Sequence, residues 1–431
     1  MKKITPILFL FLTLASQAQV KKDSLNLKLA DLYFKITNVL CSLDNGELWG
    51  TSLYGPSIFV DPTDNSAIAN QADFWGNLTP SNGLYRGQLP DEMVISNNIL
   101  NWGGLNWACM QWPLNVDKTE RNIELLKLQF LRFAPSIGIS QPLDLMGHID
   151  STDARLLIQL EWRALNKAIH TTGTEKKNAV NDALLFRNLR HTIYPDGAVV
   201  EIQLEKLYGL AEYTALKLSK LTDEQVMERI ALKINTANKL ETFEGILGET
   251  SGLFYAMLLD ASGMIWRKEV NATCDLGELT RKDYLLARSQ NLDADAEKAS
   301  QNYGIKQLKA TEAQRAKEAE TKKTAFSKLL IDGNVCTIPL ENAKLSFDPR
   351  SSIPFGVIGT VYPNIIVDDN WGRLIVKNGA LVNNAITRLC VSAKDLSVAS
   401  QNIETEYFIL ELKDGWRFVP GKRNGDYELI K

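Results

Sequence analysis

Asp117-Lys-Thr-Glu-Arg-Asn-Ile123-Glu-Leu-Leu126-Lys127-Leu128-Gln129-Phe130-Leu131-Arg132-Phe133 marks the place where the chain changes its period. Ile123, Leu126, Phe130 and Phe133 recur at the spacing that lines one face of an α-helix. Upstream, from about Asn45 to Pro113, the text is strand-like and rich in turn residues. Ser57-Ile-Phe-Val-Asp-Pro, Ala67 to Asn70, and an apolar run from Met93 to Trp112 broken by Gly103-Gly104 read as a small mixed sheet. Downstream, helical periodicity continues to about Leu330. Ser151-Thr-Asp opens one helix over Ala154 to His170, and a Thr222-x-x-Gln225 box opens another. Gly252 to Trp266 is the richest apolar stretch and reads as a buried core helix. Asp293 to Lys328, dominated by Ala, Glu, Lys and Gln, reads as one long exposed helix. After Gly333 short runs of Val, Ile, Thr and Tyr bounded by Pro, Gly, Asn and Asp predict a β domain.

The expected fold class is therefore α+β. Residues 1–18 are a signal peptide, 19–116 an N-terminal region with a mixed sheet, 117–332 a helical domain, and 333–431 a C-terminal β domain. The signal is read from Lys2 and Lys3, the apolar run Ile7 to Leu14, and small residues at Ser16 and Ala18, with cleavage expected after Ala18. No cysteine precedes Cys41 to take a lipid, and no later stretch has the length of a transmembrane helix. The expected location is the periplasm or the cell exterior. Losing Lys2 and Lys3 leaves 46 basic against 51 acidic side chains, a net charge of −5, with both signs interleaved. Such a surface argues against nucleic acid as a partner.

The residues offer little conventional chemistry. His148, His170 and His191 are 22 and 21 residues apart, so no two can ligate a metal from one helix face. No Gly-x-Ser-x-Gly elbow occurs, and Phe254 sits where its serine would have to be. Phosphate-cradling glycine loops are absent. Cys41, Cys109, Cys274, Cys336 and Cys390 are scattered and lie in apolar settings, which favours buried, inert thiols over nucleophiles or thiolate ligands. Glu161-Trp162-Arg163 lies mid-helix and suits an internal ion pair, with Arg187 and Arg190 on the next helix either its partners or merely solvated. Trp371 and Trp416 in the β domain read as packing residues; only an exposed row of them would make a carbohydrate platform.

Several runs carry a resemblance. Leu53-Tyr-Gly-Pro-Ser-Ile-Phe-Val-Asp-Pro with Ala69-Asn-Gln-Ala-Asp, Trp107-Ala-Cys-Met-Gln-Trp-Pro-Leu, Leu160-Glu-Trp-Arg-Ala-Leu, Tyr208-Gly-Leu-Ala-Glu-Tyr-Thr and Gly359-Thr-Val-Tyr-Pro resemble, in order and spacing, a bacterial family with a gluzincin-like zinc-peptidase signature. The likeness spans nearly the whole mature chain. In such relatives a helix after Trp-Pro-Leu reads His-Glu-x-x-His-Arg, followed shortly by Pro. Here Arg132 and Pro135 fix the register, which puts Lys127 and Leu131 where the zinc-binding imidazoles would be and Leu128 where the general-base glutamate would be. The third ligand of the Asn-Glu-Gly-Leu-Ala-Glu-Tyr-Thr pattern is replaced by Tyr208, while Glu212 is kept.

The resemblance thus implies a degenerate site: Lys127, Leu128, Leu131, Tyr208 and Glu212, with no catalytic residue, cofactor or metal. Lys127 is expected either to take the metal's charge position against Glu212 or to lay its stem along the helix surface. The leading expectation is an exported, non-catalytic relative that binds a peptide or envelope protein in the former active-site cleft, or serves as a structural envelope component. The alternative is an active secreted hydrolase with a metal or carboxylate site not evident from sequence.

Overall fold

The computed structural model describes residues 25–142, 147–237, 240, 242–348, 351–396 and 401–431, so the expected signal peptide lies outside the described residues. The fold is α+β. The chain divides into two compact units, Met1–Pro135 with Thr214–Lys220, and Ser136–Tyr213 with Leu221–Lys431.

In the first unit helix α1 (Leu27–Cys41) precedes strands β1 (Ser57–Val60), β2 (Ser66–Ala69), β3 (Thr79–Ser81), β4 (Leu84–Gln88), β5 (Asn98–Trp102) and β6 (Leu105–Gln111), and α2 (Lys118–Phe133) follows. The sheet order is β3-β4-β2-β1-β6-β5, with β1 and β6 parallel and the other pairs antiparallel. The central strand β1 is buried along its whole length, because the alternation of side chains sends its residues into two separate cores. Phe59, with Ile68, Ala108 and Met110, packs beneath Phe34 of α1 and Leu125 and Leu128 of α2. Ile58 and Val60, with Trp107 and Cys109, face a second cluster that includes Leu78, Leu89 and Trp102. Asp117 caps α2 by accepting from the Glu120 amide. The hairpin between β5 and β6 turns on Gly103 and Gly104, both at positive φ (61° and 79°), which a two-residue hairpin turn requires.

The second unit begins with helices α3 (Thr152–His170), α4 (Gly173–Ile193) and α5 (Pro195–Leu204). A π-helical turn, Glu205–Gly209, then leads into α6 (Leu210–Leu218), whose last residues belong to the first unit. There follow α7 (Asp223–Ala237), α8 (Leu247–Ser262), α9 (Leu276–Asp283), α10 (Leu292–Ser300) and α11 (Ile305–Ser327). As its composition predicts, α8 is buried through most of its length. The expected single helix over 293–328 is instead two, α10 and α11. Gly304 breaks it in the left-handed conformation (φ 71°), and a Cβ there would stand 2.9 Å from Arg163, whose guanidinium holds the Tyr303 carbonyl. The chain ends in a seven-stranded and a five-stranded sheet that share one core, including Cys336, Val391, Val367, Leu374 and Phe408.

Candidate functional site

On α2 the stretch Lys127–Arg132 is woven into the first unit. Leu128 is buried among Phe34, Phe59 and Trp112, Leu131 packs on the edge of the same cluster, and Lys127 is half-buried. Gln129 is wholly buried; its amide accepts from the Gly55 N–H at 3.1 Å and donates to Ser57 Oγ at 2.8 Å. Arg132 donates to the Leu53 carbonyl at 2.8 Å, and the close passage explains the glycine at 55, where a Cβ would fall 2.3 Å from the guanidinium. Trp49 lies against Phe130 and Phe133, its indole donating to Thr214 Oγ1 at 3.0 Å. An ammonium and two isobutyl groups offer no lone pair to a divalent cation, so the side chains at 127, 128 and 131 do not fit a zinc ion.

Tyr208 and Glu212 belong to the second unit. Tyr208, half-buried in the π-helical turn, donates to Gln141 Oε1 at 2.9 Å. Glu212 is buried, with Lys233 at 3.4 Å and Arg229 at 3.6 Å, both from α7. Lys233 also pairs with Glu249 of α8. The turn rests hard on α8: a Cβ at Gly252 would meet the Glu205 carbonyl at 2.1 Å, and one at Gly209 would meet the Gly252 Cα at 2.4 Å.

The most charged interior in the second unit lies between α3, α4 and α5. Arg190, Glu161 and Glu201 all have 0% exposure. The Arg190 fork donates to both oxygens of Glu201 at 2.8–3.1 Å and reaches Glu161 at 2.7 Å, so the internal ion pair expected of Glu161 is present with Arg190 as partner. Tyr255 of α8 donates to the other Glu161 oxygen at 2.7 Å. Arg187 pairs with Glu205 at 2.7 Å and Asp275 at 3.0 Å. Two of the three histidines converge here: His148 Nε2 lies 2.6 Å from one Glu201 oxygen and His191 Nε2 lies 3.0 Å from the other. A carboxylate only accepts, so both imidazoles donate through Nε2.

Burial opposes ionisation of Glu201, but Arg190 and the bonds from His148 and His191 hold it well below the usual carboxylate range. Burial and the Arg187 charge depress His191 to about 4, and burial lifts Glu205 to about 7 against the pull of Arg187. Histidine, histidine and glutamate are a ligand set by type, yet their facing atoms are spent on one another and on Arg190. Among the described residues no group of three or more His, Cys, Asp or Glu is arranged to hold a metal ion.

Nucleophiles fare no better. Burial pushes the thiols of Cys41, Cys109 and Cys336 up to about 12 and that of Cys274 to about 11. Ser251, fully buried, accepts from the Trp162 indole at 2.9 Å. In the C-terminal sheets Trp371 is fully buried and donates to the Pro339 carbonyl, and Trp416 packs half-buried on the same core, so they form no exposed row. Among the described residues an exposed, adjacent aromatic pair lies elsewhere, at Phe74 and Trp75. Sequence reading passed over them; the signal was Asp73 placed two and four residues before amides it can bind. In comparisons with family models, curated proteins and solved structures, the chain finds no match.

Proposed function

We propose that this chain is an exported, non-catalytic protein of the cell envelope that binds a peptide or another envelope protein, or serves there as a structural component. The observation that carries the reading is the use made of Lys127–Arg132. Leu128 and Leu131 fill core, while Gln129 and Arg132 tie the helix to Gly55, Ser57 and Leu53. A stretch committed in this way supports a fold; none of its six side chains is a carboxylate or an imidazole. Export is supported by the charged, apolar and small-residue succession of the first eighteen residues, and no described helix is long and apolar enough to cross a membrane. Mass spectrometry of the protein from culture fractions tests export: the expected mature chain starts at Gln19, and an intact Met1 in the cytosol refutes it.

The hydrolase reading is favoured by one observation, the convergence of His148 and His191 on Glu201. Elemental analysis with a peptidase assay separates the two. The non-catalytic reading expects no stoichiometric zinc and no cleavage of unfolded protein. About one zinc per chain, lost in His148→Ala and His191→Ala together with chelator-sensitive cleavage, would put the chemistry in the buried cluster and sink it.

A further inference from the structure

We propose that the loop Asp73–Leu78 and the pocket beside it form a binding surface for a neutral glycan. The inference stands apart from the non-catalytic reading and concerns the first unit alone. Phe74 is 75% and Trp75 71% exposed, and leaving two large aromatic side chains in water forgoes the burial that ordinarily holds such rings inside. A slack loop would fold them back onto the sheet. This one is fixed from below. Asp73, itself 7% exposed, accepts on Oδ2 from the Trp75 amide (3.1 Å), the Asn77 amide (3.1 Å) and the Asn77 side chain (2.9 Å), and on Oδ1 from the Leu78 amide (2.8 Å). Leu78 then plugs into the core, and the Phe74 amide donates to the Gly103 carbonyl at 2.8 Å. The two hairpin glycines make room for this: a Cβ at 103 would meet Asp73 at 2.7 Å, and one at 104 would meet Phe74 at 3.0 Å and the Trp75 indole nitrogen at 3.4 Å. The backbone that carries the rings is thus fixed on folding, so only the side-chain freedom of Phe74 and Trp75 is left to lose when something stacks on them.

The second observation is what lies next to the loop. A cavity of about 410 Å³ is lined by Asn77, Gln88, Leu89, Pro90, Asp91 and Trp102. Its polar side chains are one carboxylate, the Trp102 indole and two carboxamides, whose nitrogens each give one proton to the protein (Asn77 to Asp73 Oδ2, Gln88 to the Asp64 carbonyl) and keep a second, and none of its lining residues is basic. A pyranose presents an apolar C–H face to an aromatic ring and a rim of hydroxyls to planar groups that accept and donate in pairs. Carboxamides and a carboxylate beside exposed Trp and Phe match that division. The carboxylate, followed by Glu92, disfavours an anionic ligand and the anionic headgroups of a bilayer, which call for Lys or Arg.

The test is titration of the full chain with hexasaccharides of glucose, mannose, galactose and N-acetylglucosamine, read by tryptophan fluorescence and calorimetry, beside co-sedimentation with phosphatidylcholine vesicles. At least one hexasaccharide is expected to bind saturably. Trp75→Ala, Phe74→Ala and Asp91→Asn are each expected to weaken it about tenfold or more, the scale of truncating an anchor residue. Val357→Ala, at a site 94% exposed in the second unit, should leave affinity unchanged. The substituted side chains are exposed, so circular dichroism should show each variant folded. Absence of binding by all four sugars, affinity indifferent to Trp75→Ala, or vesicle binding that depends on Trp75 without sugar binding overturns the proposal.

Discussion

Replacing Arg190 by methionine keeps most of the side-chain volume and removes the one cation that touches both Glu161 and Glu201. Both carboxylates have 0% exposure, and Arg190 supplies the 2.7 Å contact to one and the two-pronged contact to the other. Tyr255, His148 and His191 would still donate to them, but two buried negative charges would face each other without a counter-ion. Breaking a buried pair in this way costs about 3–5 kcal/mol. In a cooperative unit of this size that lowers the melting temperature by about 5–8 °C. The assay is thermal unfolding by circular dichroism and calorimetry at pH 8 and pH 5.5. The loss is expected to be larger at pH 8, because at pH 5.5 an orphaned carboxylate takes up a proton and the repulsion fades. Arg190→Lys, which keeps the charge and loses the fork, should fall between wild type and Arg190→Met. A loss below about 1 kcal/mol at pH 8, or one that grows on acidification, would refute the reasoning.

The same cluster sets a pH response. His191 titrates at about 4 when folded against an ordinary 6.5, so its contribution, about 3 kcal/mol, is complete above pH 6.5 and is lost as pH falls toward 4. Glu205, lifted from 4.5 to about 7, acts in the opposite sense: its contribution, also about 3 kcal/mol, is present below pH 4.5 and lost as pH rises through 7. Urea unfolding across pH 4.5–6.5 should therefore show, relative to the wild type, stability falling with rising pH in His191→Gln and rising with pH in Glu205→Gln; parallel profiles for all three would contradict the assignment. Gly252→Ala should destabilise the second unit by about 1–3 kcal/mol through its clash with the Glu205 carbonyl, and an unchanged denaturation midpoint would show that the turn and α8 can separate freely. Gln129→Leu should cost about 1–3 kcal/mol, since the Gly55 N–H loses its acceptor and the Ser57 oxygen loses a donor; proteolysis kinetics of the first unit would register it.

The succession of sheet, helices and C-terminal strands was legible because such patterns are local: the short apolar run of Ser57–Val60 bounded by turn residues and the step at Asp117 each lie within one window. The Glu161–Arg190 pair was legible for a related reason, since a charged triplet in the middle of an apolar helix has to be met by something. The convergence of His148 and His191 on Glu201 was not, because it joins residues 53 and 10 positions apart, one from the turn before α3 and two from α4 and α5. Nor was the break at Gly304, where the chain yields to an arginine on a different helix. Phe74 and Trp75 defeated the reading differently: aromatic residues near strands count toward a core, and only the hydrogen bonds of Asp73 reveal that these two are turned out. For Lys127–Arg132 the residue types spoke against metal binding, while the partners that hold the helix, Gly55 and Leu53, lie more than seventy residues upstream.

The first unit is assembled from two stretches of polypeptide that are far apart in synthesis, Met1–Pro135 and Thr214–Lys220. A nascent chain that has completed β6 and α2 still lacks Thr214, the hydroxyl that receives the Trp49 indole. Maturation of this unit must therefore wait until some eighty further residues, all belonging to the other unit, have followed. It also follows that no single cut yields the unit whole: a fragment ending at Pro135 is missing a piece of itself, and expression trials of that fragment should return a less protease-resistant product than the intact chain.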